Sequence, residues 1–153
     1  VTRSVPDRVA FRRHDVGALE RAVASVLTQP GAWINVEPDL EDVDPRAVRR
    51  PGIFSSRGRA VPLSTLVVGE GGRPHQLGVE HGSGRDAVER LRDAGVTVPD
   101  GTRVVSDHPR RGLVLNIPNG TSAAALAALL VATVAQLTVV PLGDRWIAQV
   151  YRN

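Results

Sequence analysis

Gly112–Gly143, GLVLNIPNGTSAAALAALLVATVAQLTVVPLG, runs for 32 residues without one charged side chain, in a chain that is 23% charged overall. It opens with an apolar run of strand length, Leu113–Ile117. A Pro-Asn-Gly-Thr-Ser turn follows, and then an Ala/Leu/Val pattern of helical length. A helix that is hydrophobic all round is buried, either in a protein or in a membrane. The apolar part, Ala123–Val140, is just long enough for a bilayer to be considered. Three features favour a protein interior. The run is rich in Ala rather than Leu or Ile, it closes on Thr138-Val139-Val140-Pro141, and strand-like sequence flanks it on both sides. The helix Thr121–Leu137 is therefore expected to be the most deeply packed of the fold, or to be shared with a second subunit.

Outward from this core, strand and helix patterns alternate, with Gly and Pro marking the boundaries. Val9–Arg13 reads as a strand and Val16–Leu27 as an amphipathic helix with Leu19, Ala22, Val23, Val26 and Leu27 on one face. Pro30-Gly31 ends that helix before a strand, Ala32–Glu37. Residues 38–64 have little periodicity and read as a long irregular loop. Next come strand Thr65–Val68, a Gly-Gly-Arg-Pro turn, strand Gln76–Glu80, and a charged surface helix, Arg85–Ala94. Strands Thr102–Asp107 and Leu113–Ile117 then form a hairpin around Pro109-Arg110-Arg111-Gly112, and Arg145–Tyr151 is the last strand. The expectation is one α+β (or α/β) domain over residues 1–153, a mixed sheet of six or seven strands with three helices. The near-continuously apolar Leu113–Ile117 and Thr65–Val68 are expected at the centre, covered on both faces. Gln76–Glu80 and Arg145–Tyr151 alternate more and are expected nearer the edges. Ala94–Val105 resembles Ala135–Ile147, each leading from a helix into a strand. Either turn chemistry repeats itself there, or a strand–helix–strand unit has been duplicated.

Composition excludes several kinds of chemistry. There is no cysteine, hence no disulfide, thiol catalysis or thiolate metal site. His14, His75, His81 and His108 are scattered, so no metal is expected. The aromatic residues number two Phe, two Trp and one Tyr, so the core is aliphatic. All 19 basic residues are arginine, yet the formal net charge is only +3. With no long basic helix and no aromatic stacking platform in the sequence, nucleic acid is not the expected partner. The first residues hold no basic segment leading into an apolar one, so a cytoplasmic location is expected.

Chemistry is expected where loops collect. If each strand–helix–strand unit is a parallel crossover and the short turns close hairpins, the loops sort to two ends of the sheet. One end gathers His14–Gly17, the 38–64 loop, His81–Gly84 and the His108–Gly112 hairpin tip. The other gathers Gly69–Pro74 and Pro118–Ser122. Helix N-termini attract anions. Arg57, Arg59, His81, Gly82, Ser83, Gly84, Arg110 and Arg111 therefore form a candidate anion site at the first end. Asn119, Gly120 and Thr121 form a second one at the other end. Gly, Ser and Thr are equally ordinary capping residues, and His81-Gly82-Ser83-Gly84 matches neither a Walker A loop nor a dinucleotide fingerprint, so no cofactor is expected. Glu37 and Glu80 are a possible carboxylate pair across the sheet end. Asp107 and His108, adjacent on a strand, point to opposite faces and make a poor acid–base pair.

Two classes of function follow. The favoured one is a non-catalytic binding or regulatory module engaging a partner protein or a small anionic ligand through the 38–64 loop, with Gly52-Ile53-Phe54 as its apolar anchor, and the neighbouring helix N-termini. The alternative is a small transferase or hydrolase acting on a phosphorylated or acylated substrate at the same end. A homo-oligomer through the Thr121–Leu137 helix is compatible with either.

Overall fold

The computed structural model describes residues 5–43 and 58–153. The arginine at 57 and the anchor at 52–54 lie outside them. The chain order is β1 (Asp7–Arg12), α1 (Gly17–Leu27), β2 (Trp33–Pro38), β3 (Leu63–Val67), β4 (His75–Glu80), α2 (Ala87–Asp93), β5 (Arg103–His108), β6 (Gly112–Ile117), α3 (Ala123–Leu137) and β7 (Arg145–Tyr151). The structure is α+β, with three helices and seven strands as expected. Leu40–Asp42 adds one 3-10 turn after β2, capped by the Asp39 carboxylate, which accepts from the Glu41 N–H.

The strands form one sheet in the order β1-β7-β2-β3-β4-β6-β5, and every neighbouring pair is antiparallel. The sheet is therefore antiparallel throughout rather than mixed. The direction of each crossover is nevertheless as expected, since β1 and β2 point the same way, as do β4 and β5. What differs is adjacency. β7 is inserted between β1 and β2, and β6 between β4 and β5. Two split strand–helix–strand units thus lie side by side with β3 between them, and α3 carries the chain from one inserted strand to the other.

All three helices occupy one face, because α3 touches α1 and α2 as well as β2, β3 and β4. This overturns the expectation that β3 and β6 are covered on both sides. In β6, Leu113, Leu115 and Ile117 are buried under the helices while Val114 and Asn116 face away. It also corrects the placement of β4 and β7, which are interior strands; β1 and β5 are the edges. The alternation of β4 and β7 records one uncovered face and not an edge position.

The charge-free stretch is the centre of the core. Leu126, Ala127, Leu129, Leu130, Val131, Thr133, Val134 and Leu137 of α3 are all buried, and each fully buried leucine contributes roughly 2 kcal/mol. The helix starts two residues later than the sequence suggests. Ser122 is its N-cap, accepting from the Ala125 N–H at 3.1 Å, and Thr121 belongs to the preceding turn. Thr133, the polar residue within the buried set, donates to the Leu130 carbonyl and accepts from Ser64 of β3 at 3.2 Å, so its burial leaves no unmet hydrogen bond. The outer side of α3 shows Ala124, Ala125, Ala128 and Gln136. At 15 residues it is too short to span a bilayer, and among the described residues no helix is long and apolar enough to do so.

Candidate functional site

Strand directions place residues 13–16, 39–43, 58–62, 81–86 and 109–111 at one end of the sheet, and residues 68–74 and 118–122 at the other. At the first end His81 organises a compact cluster. Its side chain is fully buried. The Ser83 N–H, which can only donate, lies 3.3 Å from Nδ1, so Nδ1 is an acceptor and the ring proton resides on Nε2. The Ser83 hydroxyl also donates to Nδ1, at 2.9 Å, and itself accepts from Arg90 Nη2 at 3.1 Å. Arg90 further donates to the carbonyls of Gly84 and Arg85. His81 Nε2 is buried without a hydrogen-bond partner. Burial, and then the Arg90 guanidinium, hold the imidazole below its ordinary pKa, with the Asp107 carboxylate pulling the other way.

The backbone at this end is packed as tightly as glycine permits. A Cβ on Gly82 would lie 2.5 Å from the Gly58 carbonyl oxygen and 2.9 Å from that of Arg59, so Gly58–Arg59 passes directly across the 81–82 turn. Arg59 does not turn toward Ser83. It bridges Glu37 of β2, at 3.6 Å, and Glu80 of β4, at 3.7 Å. The suspected carboxylate pair therefore exists as two acids sharing one arginine.

Two of the N-terminal N–H groups of α2 are already occupied. Ala87 and Val88 donate to the Asp107 carboxylate, at 3.3 and 3.1 Å, across from β5. Asp86 makes no side-chain cap; it is held in the left-handed region at φ 59°. Asp107 thus points to the helix side as a cap, while His108 on the opposite side accepts from the N–H groups of Arg110 and Arg111 through Nδ1, fixing the hairpin tip. At the far end, Asn119 and Thr121 are absorbed by the turn. The Asn119 carbonyl accepts from His75 Nε2 at 3.2 Å, its amide donates to the Gly72 carbonyl, and the Thr121 hydroxyl donates to Pro118. His75 also accepts from the Gly69 N–H through Nδ1, so it staples both loops at that end. Burial lowers its pKa, opposed by the Asn119 carbonyl.

Of the candidate residues, the structure brings His81, Gly82, Ser83 and Gly84 together and adds Arg90 and Asp107. Arg59 and Arg110 border the cluster, Arg111 turns to the uncovered sheet face, and Asn119–Thr121 stand at the opposite end. Gly120 is exposed there.

Among the described residues, the face of the sheet away from the helices is uncovered. Trp33 of β2 lies opposite Tyr151 of β7, and their rings stack at 4.8 Å and 9°. Asn35 and Thr65, cross-strand neighbours, bond at 2.9 Å, and Tyr151 donates to Gln149. Ile147, Val114, Leu63 and Val67 share the face, Val67 at 38% and Trp33 at 37% exposure. Arginines stand at its four corners. Arg12 and Arg145 are directly opposed at one, Arg8 sits at the other end of β1, Arg103 at the start of β5, and Arg111 beside β6. Two hollows open on this face. One of about 360 Å³ lies over Ala10 and Ile147 between Arg8, Arg12, Arg145 and Asp39; the other, of about 250 Å³, lies over Gly78 beside Arg111 and Glu80.

Sequence reasoning did not find this face. Its signal is the alternation Trp33-Asn35-Glu37 against Ile34-Val36, a period-two pattern with a polar and aromatic side. Tyr151 could not be matched to Trp33 without the register. No protein-family model, curated protein or solved structure matches this chain.

Proposed function

We propose that the chain is a non-catalytic binding module of the cytoplasm, and that a partner protein seats on the uncovered face of its sheet. The observation that supports this most directly is the Trp33–Tyr151 stack, standing partly exposed on a sheet face that carries no helix among the described residues, with aliphatic neighbours around it and arginines at the corners. Trp, Tyr and Arg are the residue types that anchor protein interfaces, and an apolar patch rimmed by polar groups marks an interaction site.

The alternative, a small transferase or hydrolase, draws on the 2.9 Å contact between the Ser83 hydroxyl and His81 Nδ1. That pair resembles a nucleophile and its base. Against it, no carboxylate bonds to His81 Nε2, the Ser83 hydroxyl is tied to Arg90, and Asp107 is spent on the α2 N-terminus. A small anionic ligand at that end meets the same obstacle, since Asp107 already takes the Ala87 and Val88 N–H groups. Self-association through α3 offers a second protein seat, on the side bearing Ala128 and Gln136.

Two measurements test the proposal. Photo-crosslinkers placed at Trp33 and, separately, at Gln136 in the producing cells should give partner adducts from position 33. Adducts from 136 alone, with the chain itself, would move the interface to α3. A fluorophosphonate probe should leave Ser83 unlabelled; labelling that His81→Ala abolishes would establish the enzyme instead.

A further inference from the structure

Resting on the reading that the sheet face seats a protein, we propose that its occupant is an acidic segment, with apolar side chains against the Trp33–Tyr151 stack and carboxylates on the arginine corners. The charge distribution carries the argument. Arg8, Arg12, Arg103, Arg111 and Arg145 border the face, against Asp39 and Asp144 at the Arg12–Arg145 corner and Glu37 and Glu80, both held by Arg59. The face is thus more basic than its counterpart on the helix side, where Glu20, Glu89 and Asp93 accompany the arginines. Arg12 and Arg145 lie directly across from each other on this face, and the Asp144 carboxylate already meets Arg12 at 3.2 Å, a contact that an incoming acid would repeat at Arg8 and Arg103. Guanidinium forks match carboxylates in geometry as well as in charge.

The same face argues against two other occupants. A second copy of the chain, docking face to face, would bring arginine corners together. A single-stranded nucleic acid needs a succession of open ring faces for its bases, whereas Trp33 and Tyr151 each cover one face of the other at 4.8 Å, the spacing of adjacent strands.

The experiment is selection of a random twelve-residue displayed peptide library on the immobilised whole chain. Selected peptides are then measured by calorimetry against wild type, Trp33→Ser, and the single variants Arg8→Ser and Arg103→Ser, with an oligothymidylate as a parallel probe. The expected result is peptides enriched in Asp and Glu around an apolar centre. Each Arg→Ser exchange should weaken them about two- to fivefold, as for rim charges, and rising salt should weaken them further. Peptides without acid enrichment that are still lost in Trp33→Ser would overturn the acidic occupant and leave the docking face standing. Peptides indifferent to Trp33→Ser, or no selected peptide at all, would overturn both. Oligothymidylate binding that Trp33→Ser removes would replace the protein with nucleic acid.

Discussion

Replacing Asp107 should unseat α2, although Asp107 lies on β5, 19 residues from Val88 in sequence. The short helix has no cap of its own, since Asp86 is in the left-handed region and bonds none of its N–H groups. Asp107 supplies both acceptors, at 3.3 Å to Ala87 and 3.1 Å to Val88. Loss of an ordinary N-cap costs about 1 kcal/mol, and a hydrogen bond to a charged acceptor is worth about 1.5–3 kcal/mol. Both bonds here are at the long end of the range and only partly buried, so Asp107→Ala should cost about 2 kcal/mol. Asp107→Asn, which keeps one acceptor and loses the charge, should cost about half as much. For a chain of this size a 2 kcal/mol loss lowers Tm by about 4–8 °C. Urea unfolding at pH 7.5, followed by far-ultraviolet circular dichroism and by emission of the buried Trp146, measures it. A second readout is independent of stability. Asp107 holds the His81 pKa up, so its removal should lower that pKa further in an NMR titration. An Asp107→Ala variant within about 0.5 kcal/mol of wild type, the range of an indifferent surface change, would refute the cap.

His75 and His81 both have folded pKa values below the ordinary 6.5. Above that pH their contribution is fully present. As pH falls through 6.5 the unfolded chain takes up protons that the folded chain refuses, so stability declines. A urea series from pH 7.5 to 5 should show this fall, and His81→Asn, whose carbonyl can take the Ser83 N–H, should make it shallower. Gly82→Ala should destabilise by about 1–3 kcal/mol, the cost of overpacking, because its Cβ would press on the Gly58 and Arg59 carbonyls. Gly78→Ala, on open space in β4, should be neutral or stabilising; equal effects in thermal melts would contradict the crossing at the sheet end. Leu130→Ala in the core should cost about 2–5 kcal/mol, while Ala128→Gln on the outer side of α3 should stay within about 0.5 kcal/mol. A large loss for the second variant, or a changed sedimentation coefficient, would show that this side of α3 is covered.

The order of elements, their approximate bounds and the location of the core were legible in the chain because they rest on local periodicity. The alternation of Arg145–Tyr151, the 3.6-residue pattern of Val16–Leu27 and the Pro-Gly stops each act over a few residues. Even the sorting of loops to two ends follows from strand direction, which a crossover of given length determines. The His81–Ser83 contact was half visible, since its members are two residues apart. Arg90, one helical turn and more beyond, and Asp107, on another strand, were not.

What the sequence determined by itself was therefore the identity of the pieces and which of them must be buried. The uncharged helix α3 has no charged side and must bury its leucines and valines, leaving only alanines and Gln136 on its outer side. Which strands are neighbours was decided by the tertiary structure alone. β7 and β6 fill the gaps inside β1–α1–β2 and β4–α2–β5 because backbone hydrogen bonds carry no label of sequence distance, and only the assembled sheet settles which edges meet. That choice put all three helices on one face and, among the described residues, left the other bare. It also brought Trp33 to Tyr151, 118 positions apart in sequence, and Arg12 to Arg145. The candidate binding face is a product of register, and register exists only once the sheet has formed.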